Sequence, residues 1–391
     1  MRGHYRSVSK AEKEAREARK QARRAANRLV TEKDSPLLSR LGQIMDALPK
    51  QTVYIPTERG GNVVDIAVHQ LSSGQNRKLV IAIHGLVANS ETWRHALAGL
   101  AKDHDLWTFD NIGCGLSGKP HPKSLKRGGY SPTAMGERNL QALRELFARR
   151  ERAGERYESL TLVAHSLGGM VAIRMFSHPE LRAKYADVLE RVDRLVLAAP
   201  SDVSIQAEMP VFREIVDLKD WQVWLGKRLG LVRKAAIAST QDGHANRGFA
   251  LKQKAVDLER VLSNPPTRRA AQAMIKQGVP WNHKLRRPDW NGISELNAHY
   301  ANIDIPILIV WGDRDEILPV SMGHKLQAEI PGAELVRFAD ANHSVHAEKP
   351  VEFAKLVWAY EDSESLAGLD VMPKSRFFAN GMRAAIYIAE R

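Results

Sequence analysis

A serine, two aspartates and a histidine, which can act together in catalysis, stand at or just after the ends of three apolar runs of the chain. Ser166 ends the run before two glycines, the acids Asp313 and Asp315 follow a later run, and His343 follows another. A serine hydroxyl is a poor nucleophile at neutral pH unless a base accepts its proton and an acid orients that base. The chain order Ser, Asp, His, with each residue after a strand, therefore indicates nucleophilic catalysis at one edge of a sheet.

The stretch LVAHSLGG (162–169) around Ser166 permits two interpretations. In the structural one, the serine caps a helix and the glycines allow tight packing. In the functional one, the serine is a nucleophile on a strained strand-to-helix turn, and the glycines let helix and substrate approach closely. The elements around this stretch have to decide between them.

Eight short apolar runs predict the strands of one sheet. The first two flank a glycine turn and are typical of an antiparallel hairpin, whereas the continuously apolar later runs are typical of parallel strands covered on both faces. The runs are 52–57, 63–70, 78–85, 105–110, 160–166, 194–200, 306–313 and 333–341. Their alternation with helical segments predicts an α/β fold with an open, mostly parallel eight-stranded sheet flanked by helices.

The chain divides into four parts. About a hundred residues with helical periodicity separate the sixth strand from the next, too many for a structureless loop. We therefore expect a helical cap (201–303) inserted after the sixth strand into a core (50–200 and 304–362). A basic helical N-terminal arm (1–49) precedes the core and a C-terminal extension (363–391) follows it. The cap contains Trp221, Trp224, Trp281 and Trp290.

Composition limits the partners and the compartment. The net charge is +13, and residues 1–35 hold eleven Lys/Arg against five Asp/Glu, but no nucleic-acid-binding signature accompanies this charge, so no nucleic-acid partner is expected. No apolar run is long enough for a transmembrane helix, and no secretory signal is visible. The single Cys114 excludes an intrachain disulfide and favours a cytoplasmic location. The two terminal extensions are candidates for self-association or contact with a surface.

Over roughly residues 50–362 the sequence resembles the cap-bearing serine hydrolases of the α/β-hydrolase superfamily. Four motifs match in the family's order: His84-Gly85 after the third strand, a D-x-x-G-x-G-x-S turn at 110–117, a nucleophile elbow at 164–169, and a histidine loop in which Glu348 and Pro350 follow His343. The elbow departs from the pattern at its first position, where alanine stands in place of the usual glycine.

The resemblance implies a role for each site residue. Ser166 would attack a carbonyl carbon, His343 would act as general base and then general acid, and Asp315 would orient the imidazole. The backbone N–H groups of Leu167 and Leu86 would form the oxyanion hole.

Two of these roles have rival residues. Asp313 competes for the acid role, but the family's G-x-x-D-x-x-x-P spacing favours Asp315. His346 competes for the base role, but the five-residue step to Glu348 favours His343.

The remaining histidines are expected to be structural, and no cofactor is predicted. His165 stands next to the serine on a turn where neighbouring side chains diverge, and His84 often orders the oxyanion loop in this family. A metal site at His343-x-x-His346 is not expected because no further ligands have matching spacing. Neither a dinucleotide fingerprint nor a phosphate-binding loop is present.

A serine nucleophile narrows the reaction to acyl transfer to water. Relatives that open epoxides or displace halides use an aspartate at the elbow, so Ser166 argues against both reactions. Hydrolysis of a carboxylic ester is the predicted activity, and the Trp- and Met-bearing cap favours a small-molecule substrate with an apolar group. The alternatives are cleavage of a C–C bond or a lactone by the same residues, or a non-catalytic binding protein on this fold.

Overall fold

The computed structural model describes residues 31–72, 76–125, 128–203, 218–242, 252–282, 284–285 and 287–362. The helix predicted for the N-terminal arm before residue 31 and the C-terminal extension (363–391) therefore lie outside the described residues.

An eight-stranded sheet forms the centre of the molecule, which confirms the predicted α/β class. The strands are β1 Lys50–Arg59, β2 Asn62–Leu71, β3 Lys78–Ile83, β4 His104–Phe109, β5 Ser159–His165, β6 Arg194–Ala198, β9 Ile307–Gly312 and β10 Glu334–Phe338. Their order in the sheet is β1-β2-β4-β3-β5-β6-β9-β10; β2 is antiparallel to β1 and β4, and the other neighbours are parallel. A separate two-stranded hairpin consists of β7 Trp281–Asn282 and β8 Arg287–Pro288.

Helices cover both faces of this sheet. Those in the described residues are α1 Pro36–Ala47, α2 Arg94–Ala98, α3 Pro132–Arg152, α4 Leu167–Ser177, α5 Pro179–Lys184, α6 Ala186–Leu189, α7 Asp220–Arg228, α8 Leu231–Asp242, α9 Lys252–Ser263, α10 Pro265–Gln277, α11 Trp290–Ala298, α12 Ser321–Glu329, α13 Val345–Glu348 and α14 Pro350–Asp362. Successive side chains of β3 enter different apolar clusters: Ile81 packs with α3 and α4, and Val80 with α2 and α14. This alternation is the two-residue period of a strand buried on both faces.

Helix α1 packs on the sheet although it lies in the range assigned to the N-terminal arm. The Ser35 hydroxyl accepts the Leu38 N–H at 3.3 Å and begins the helix. Leu41 and Met45 are buried in the same cluster as α2. Arg94 on α2 forms ion pairs with residues at both ends of this segment, Glu32 and Asp46. The packed core thus begins before residue 50.

The segment between β6 and β9 contains α7 to α11 and the β7–β8 hairpin. Helix α10 contacts the core, where Met274 is buried in the same cluster as Tyr130 and the Gln277 side chain accepts the Tyr130 N–H at 2.7 Å. The two ends of the segment also meet, because the Tyr300 hydroxyl donates to the buried carboxylate of Asp202. The segment is therefore attached to the core at its two ends, which we call its base, and through helix α10.

Three of the four tryptophans of this segment are exposed and do not belong to its buried apolar core. Trp221, Trp224 and Trp290 are 60%, 59% and 45% exposed. The buried apolar residues of the segment include Met274 and Ile293 instead. Tryptophan content by itself therefore does not identify a substrate pocket here.

Candidate active site

Ser166 occupies a sharp turn between β5 and α4. Its φ of 51° and ψ of −119° lie in a region that residues other than glycine rarely adopt. Two backbone hydrogen bonds of 3.0 Å hold the turn against the end of β6 and the loop that follows it. One runs from the Ser166 N–H to the oxygen of Ala198, the last residue of β6, and the other from the Ser201 N–H to the Ser166 oxygen. The Ser166 side chain makes no capping hydrogen bond to α4, so the helix-capping interpretation lacks the contact that it requires.

The glycines after the serine permit two close backbone crossings. A Cβ added to Gly168 would lie 2.5 Å from the carbonyl oxygens of Ile83 and His84, and one added to Gly169 would lie 2.5 Å from Cβ of Pro200. Helix α4 can therefore begin directly against the ends of β3 and β6 only because both positions lack a side chain. The first turn of α4 is consequently fixed at the C-terminal edge of the sheet.

Gly85 brings the loop after β3 to the serine. A Cβ on Gly85 would lie 3.0 Å from Cβ of Ser166 and 2.9 Å from Nδ1 of His165, so the loop passes in van der Waals contact with the turn. Leu86 follows directly in this loop and packs against the core. Leu167 is the first residue of α4, where a backbone N–H has no partner within its own helix.

Asp315 and His343 lie together in loops that follow different strands. Oδ2 of Asp315 lies 2.9 Å from Nδ1 of His343, and both side chains are buried. Oδ1 of Asp315 accepts the backbone N–H groups of Ile317 and Leu318 at 2.9 and 2.8 Å. The carboxylate is thus fixed on both oxygens, and the pairing leaves Nε2 of the imidazole for other partners.

Asn342 connects the loop of the acid to the loop of the histidine, a role that the sequence analysis missed. Its side-chain oxygen accepts the N–H groups of Glu316 at 3.0 Å and of His343 at 2.7 Å. Its own N–H donates to the Glu348 carboxylate at 3.2 Å. The sequence offered one signal for this role, since Asn342 directly precedes His343. The contact also gives a physical reason for the spacing between His343 and Glu348.

The rival acid and the rival base are engaged elsewhere. The Asp313 carboxylate pairs with Arg337 on β10 at 2.7 Å. The ring of His346 is completely buried, with its centroid 4.4 Å from that of Trp93, and its Nε2 lies 3.3 Å from the Thr92 hydroxyl. The contact between a carboxylate and an imidazole that the catalytic roles require is formed by Asp315 and His343 instead.

His165 joins the elbow to the histidine loop. Its Nε2 lies 3.1 Å from the backbone oxygen of His343, and the two ring centroids are 4.8 Å apart. Since His165 is adjacent to Ser166 in the chain, this contact brings the turn of the serine and the loop of His343 together. Its structural role agrees with the sequence interpretation.

His84 holds the loop after β3 as a neutral ring. Its Nε2 accepts the backbone N–H of Asn111 at 3.1 Å, and its Nδ1 lies 2.7 Å from the Gly85 oxygen. Burial lowers the pKa of His84, although the nearby Asp110 carboxylate opposes the shift. The Asn111 side chain, a contact not anticipated from sequence, donates to the His84 oxygen at 3.2 Å.

The D-x-x-G-x-G-x-S turn is built around the buried carboxylate of Asp110. It accepts the N–H groups of Ser90 at 2.8 Å and Leu116 at 2.7 Å, and it lies 3.1 Å from Nε2 of His69. Burial acts to raise the pKa of Asp110, but His69, His84 and the two backbone donors outweigh it and hold the pKa well below its usual range. The motif therefore fastens the loop after β3 to the end of β4.

The described residues contain no further group of ligands for a metal. Within them, no cluster of three or more His, Cys, Asp or Glu side chains has the arrangement of a metal site. In the same part of the chain, no helix combines the length and apolar character needed to cross a membrane.

Comparisons with known proteins identify the family to which this fold belongs. A family model described as alpha/beta hydrolase fold matches residues 78–350. An uncharacterized protein of Mycobacterium tuberculosis is 30% identical over 298 residues, which cover 74% of this chain and 77% of the relative. A cis-3-alkyl-4-alkyloxetan-2-one decarboxylase of Xanthomonas campestris is 24% identical over 304 residues, covering 73% of this chain and 88% of that enzyme.

A solved esterase has the same fold. The esterase from Exiguobacterium antarcticum superposes with a TM-score of 0.58 at 18% identity, over 80% of this chain and 100% of the esterase. At this level of identity the likeness establishes the shared fold alone.

Proposed function

The chain belongs to the α/β-hydrolase family, and from that premise we propose that it is a serine hydrolase that cleaves carboxylic esters through an acyl-enzyme on Ser166. The observation that carries the proposal is the 2.9 Å contact between Asp315 and Nδ1 of His343. It supplies an oriented base in a loop that His165 connects to the strained turn of the serine. A nucleophile, a base and an orienting acid are the set that acyl transfer requires.

In the proposed mechanism, Ser166 Oγ attacks the ester carbonyl while Nε2 of His343 accepts its proton. The C–O bond of the tetrahedral intermediate then breaks, and the alcohol leaves with the proton from His343. Water attacks the acyl-enzyme, His343 accepts a proton from that water, and the proton returns to Ser166 as the acid leaves. Asp315 holds the imidazole in the tautomer that this sequence needs and stabilises its charged form.

The backbone N–H groups of Leu86 and Leu167 are the proposed donors to the oxyanion. Support comes from the contact of Gly85 with the elbow and from the position of Leu167 at the start of α4. Removing one donor of this kind typically lowers the rate by about 10²–10³, or roughly 3–4 kcal/mol. Of the predicted cap (201–303), helix α10 lies at this edge, because a Cβ on Gly113 in the loop after β4 would lie 2.5 Å from Cβ of Ala270.

Apolar side chains near Ser166 favour a substrate with an apolar group. Met170, in the first turn of α4, is buried with Val203 and Ile293 in one apolar cluster. Met170 lies one helical turn after Ser166, where its N–H donates to the Ser166 oxygen at 3.2 Å. We take its apolar cluster, rather than the exposed tryptophans, as support for an apolar acyl or alcohol group.

Hydrolysis of a lactone is the second candidate function. The Xanthomonas relative is named for an oxetan-2-one, which is a four-membered cyclic ester. Ring opening would use the same nucleophile and base, with the alcohol remaining attached to the product. Cleavage of a C–C bond next to a carbonyl would also use these residues, and a binding protein without catalysis is the remaining alternative.

A test compares p-nitrophenyl esters from acetate to long acyl chains with a series of lactones. The wild type should hydrolyse at least one series, and Ser166→Ala should lose about 10⁴-fold or more in kcat. Intact mass after treatment with a fluorophosphonate should rise by one adduct in the wild type and in the exposed control Ser321→Ala, but not in Ser166→Ala. Adduct formation without turnover would point to an untested acyl substrate, whereas neither adduct nor turnover would contradict the proposal.

A further inference from the structure

Helices α7 and α8 present large apolar side chains to solvent. Trp221 and Trp224 are 60% and 59% exposed, and Leu225, Leu229 and Leu231 are also exposed. Trp221, Trp224 and Leu225 follow i, i+3, i+4 spacing and therefore share one face of α7. Contiguous exposed apolar groups of this kind mark interaction sites on soluble proteins.

Basic side chains surround these apolar ones. Lys227, Arg228, Arg233 and Lys234 are exposed, and within the part of the chain that the structure describes none of them pairs with a carboxylate. Arg228 instead lies over the ring of Trp224, 4.9 Å from its centroid. We call these nine residues, Trp221, Trp224, Leu225, Leu229, Leu231, Lys227, Arg228, Arg233 and Lys234, the α7–α8 surface.

Net positive charge is the second property of this surface. Several arginines elsewhere are matched with acids, as Arg144 is with Asp187 and Arg182 with Asp304. Residues 218–242 contain five Lys/Arg and two Asp, and one of the acids, Asp220, is engaged by Arg268 and Arg269 on α10. The described part of this surface therefore carries a net positive charge, which favours an anionic partner.

Helix α7 is anchored at its N-terminal end and leaves its apolar face uncovered. Besides the Asp220 ion pairs, Gln272 on α10 donates to the Leu218 oxygen at 3.0 Å, and Val223 is the buried residue of α7. Helix α10 in turn packs against the loop after β4, since a Cβ on Gly113 would lie 2.5 Å from Cβ of Ala270. The surface thus belongs to the segment that contacts the C-terminal edge of the sheet.

We propose that the α7–α8 surface docks on anionic lipid membranes. Tryptophan and leucine partition into the boundary between headgroups and acyl chains, and Lys and Arg at the same depth bind anionic headgroups. Each basic residue near such a membrane contributes about 1 kcal/mol, or roughly fivefold in affinity. A protein partner would have to supply several acidic groups as well as an apolar groove, whereas an anionic bilayer offers both properties at once. The inference does not depend on the proposed reaction.

The test measures co-sedimentation of the full-length protein with vesicles of phosphatidylcholine, with and without phosphatidylglycerol, at low and high salt. Wild type should bind only the anionic vesicles and be released by salt. Lys227→Gln/Arg228→Gln should weaken binding by about 30-fold. Trp221→Gln/Trp224→Gln should weaken it by about tenfold and reduce the quenching of tryptophan fluorescence by brominated lipids.

Matched controls identify the surface responsible. Trp358→Gln removes another exposed tryptophan, and Arg40→Gln/Lys123→Gln removes the same charge from exposed positions elsewhere. Both should bind as wild type does, and circular dichroism should show that all variants are folded. Equal binding by every variant would assign the affinity to the basic N-terminal arm and overturn the proposal. Absence of binding, or a wild-type dimer that Trp221→Gln/Trp224→Gln makes monomeric, would overturn it as well.

Discussion

The Asp315 carboxylate lies 2.9 Å from Nδ1 of His343 through one oxygen and accepts two backbone N–H groups through the other. Asp313, two residues earlier on the same loop, is directed to Arg337 instead. Two acids that the sequence places side by side are therefore separated by the fold, one toward the histidine and one toward the neighbouring strand. Substitution of Asp315 should therefore lower the activity, whereas substitution of Asp313 should not.

Asp315→Asn should lower kcat for ester hydrolysis by about 10⁴-fold with little change in KM, because an amide stabilises neither the productive tautomer nor the imidazolium. Asp313→Asn is the matched control and should retain wild-type kcat, since it removes only the contact with Arg337. Steady-state kinetics on one p-nitrophenyl ester measures both. A loss of activity confined to Asp313→Asn would exchange the roles of the two acids.

The backbone of Ser166 predicts opposite stability effects at two serines. Because φ is 51° at this position, Ser166→Gly should be more stable than Ser166→Ala by about 1–2 kcal/mol, as glycine adopts that region without strain. At Ser321, the first residue of α12, alanine should be more stable than glycine by up to about 1 kcal/mol. Urea unfolding of the four variants gives both differences. The same ordering at the two sites would mean that the turn is not strained.

Asp110→Asn should destabilise the protein in a pH-dependent way. Removing the buried charge from its hydrogen-bond network should cost about 3 kcal/mol in the free energy of unfolding at neutral pH. The folded-state pKa of Asp110 lies below its unfolded value, so the ionised carboxylate stabilises fully above that unfolded value and less as the pH falls toward the folded pKa. The difference between wild type and variant should therefore shrink below about pH 4.

Unfolding measured across pH for Asp110→Asn and for the exposed control Asp103→Asn tests this expectation. Asp103→Asn should match wild type throughout. A difference between wild type and Asp110→Asn that stays constant in acid would show that Asp110 acts through packing rather than through its charge.

Tyr300→Phe should loosen the base of the segment between β6 and β9. The hydroxyl donates to the buried Asp202, whose other oxygen accepts from Lys325 at 2.8 Å. Loss of a hydrogen bond to a buried charge should lower the free energy of unfolding by about 2 kcal/mol. Tyr54→Phe, at a half-exposed position on β1, should have no measurable effect in the same thermal or urea unfolding experiment. Equal effects at both positions would show that the Tyr300–Asp202 bond adds no stability.

The sequence was sufficient for the fold because continuous apolar runs are a local property. All eight predicted runs correspond to strands of the sheet, and the two-residue hairpin turn at Gly60 and Gly61 has the positive φ values that the glycines allow. Sequence reasoning placed α1 within the helical N-terminal arm (1–49), whereas the structure shows Leu38, Leu41 and Met45 repeating at helical spacing and buried.

Residue types and chain order also determined which side chains were candidates for chemistry. Ser166, the acids Asp313 and Asp315, and His343 could be selected because each follows a strand, and parallel strands end at one edge of a sheet. The resemblance to the α/β-hydrolase superfamily then favoured Asp315 over Asp313.

Only the tertiary structure decided how loops that are distant in the chain meet. The pairing of Asp313 with Arg337, the link that Asn342 makes between two loops, and the exposure of Trp221 and Trp224 all depend on neighbours from other elements. Periodicity and spacing describe the order of side chains along one element. Contacts between elements depend on where each loop turns in space, and that is set by the packing of the whole chain.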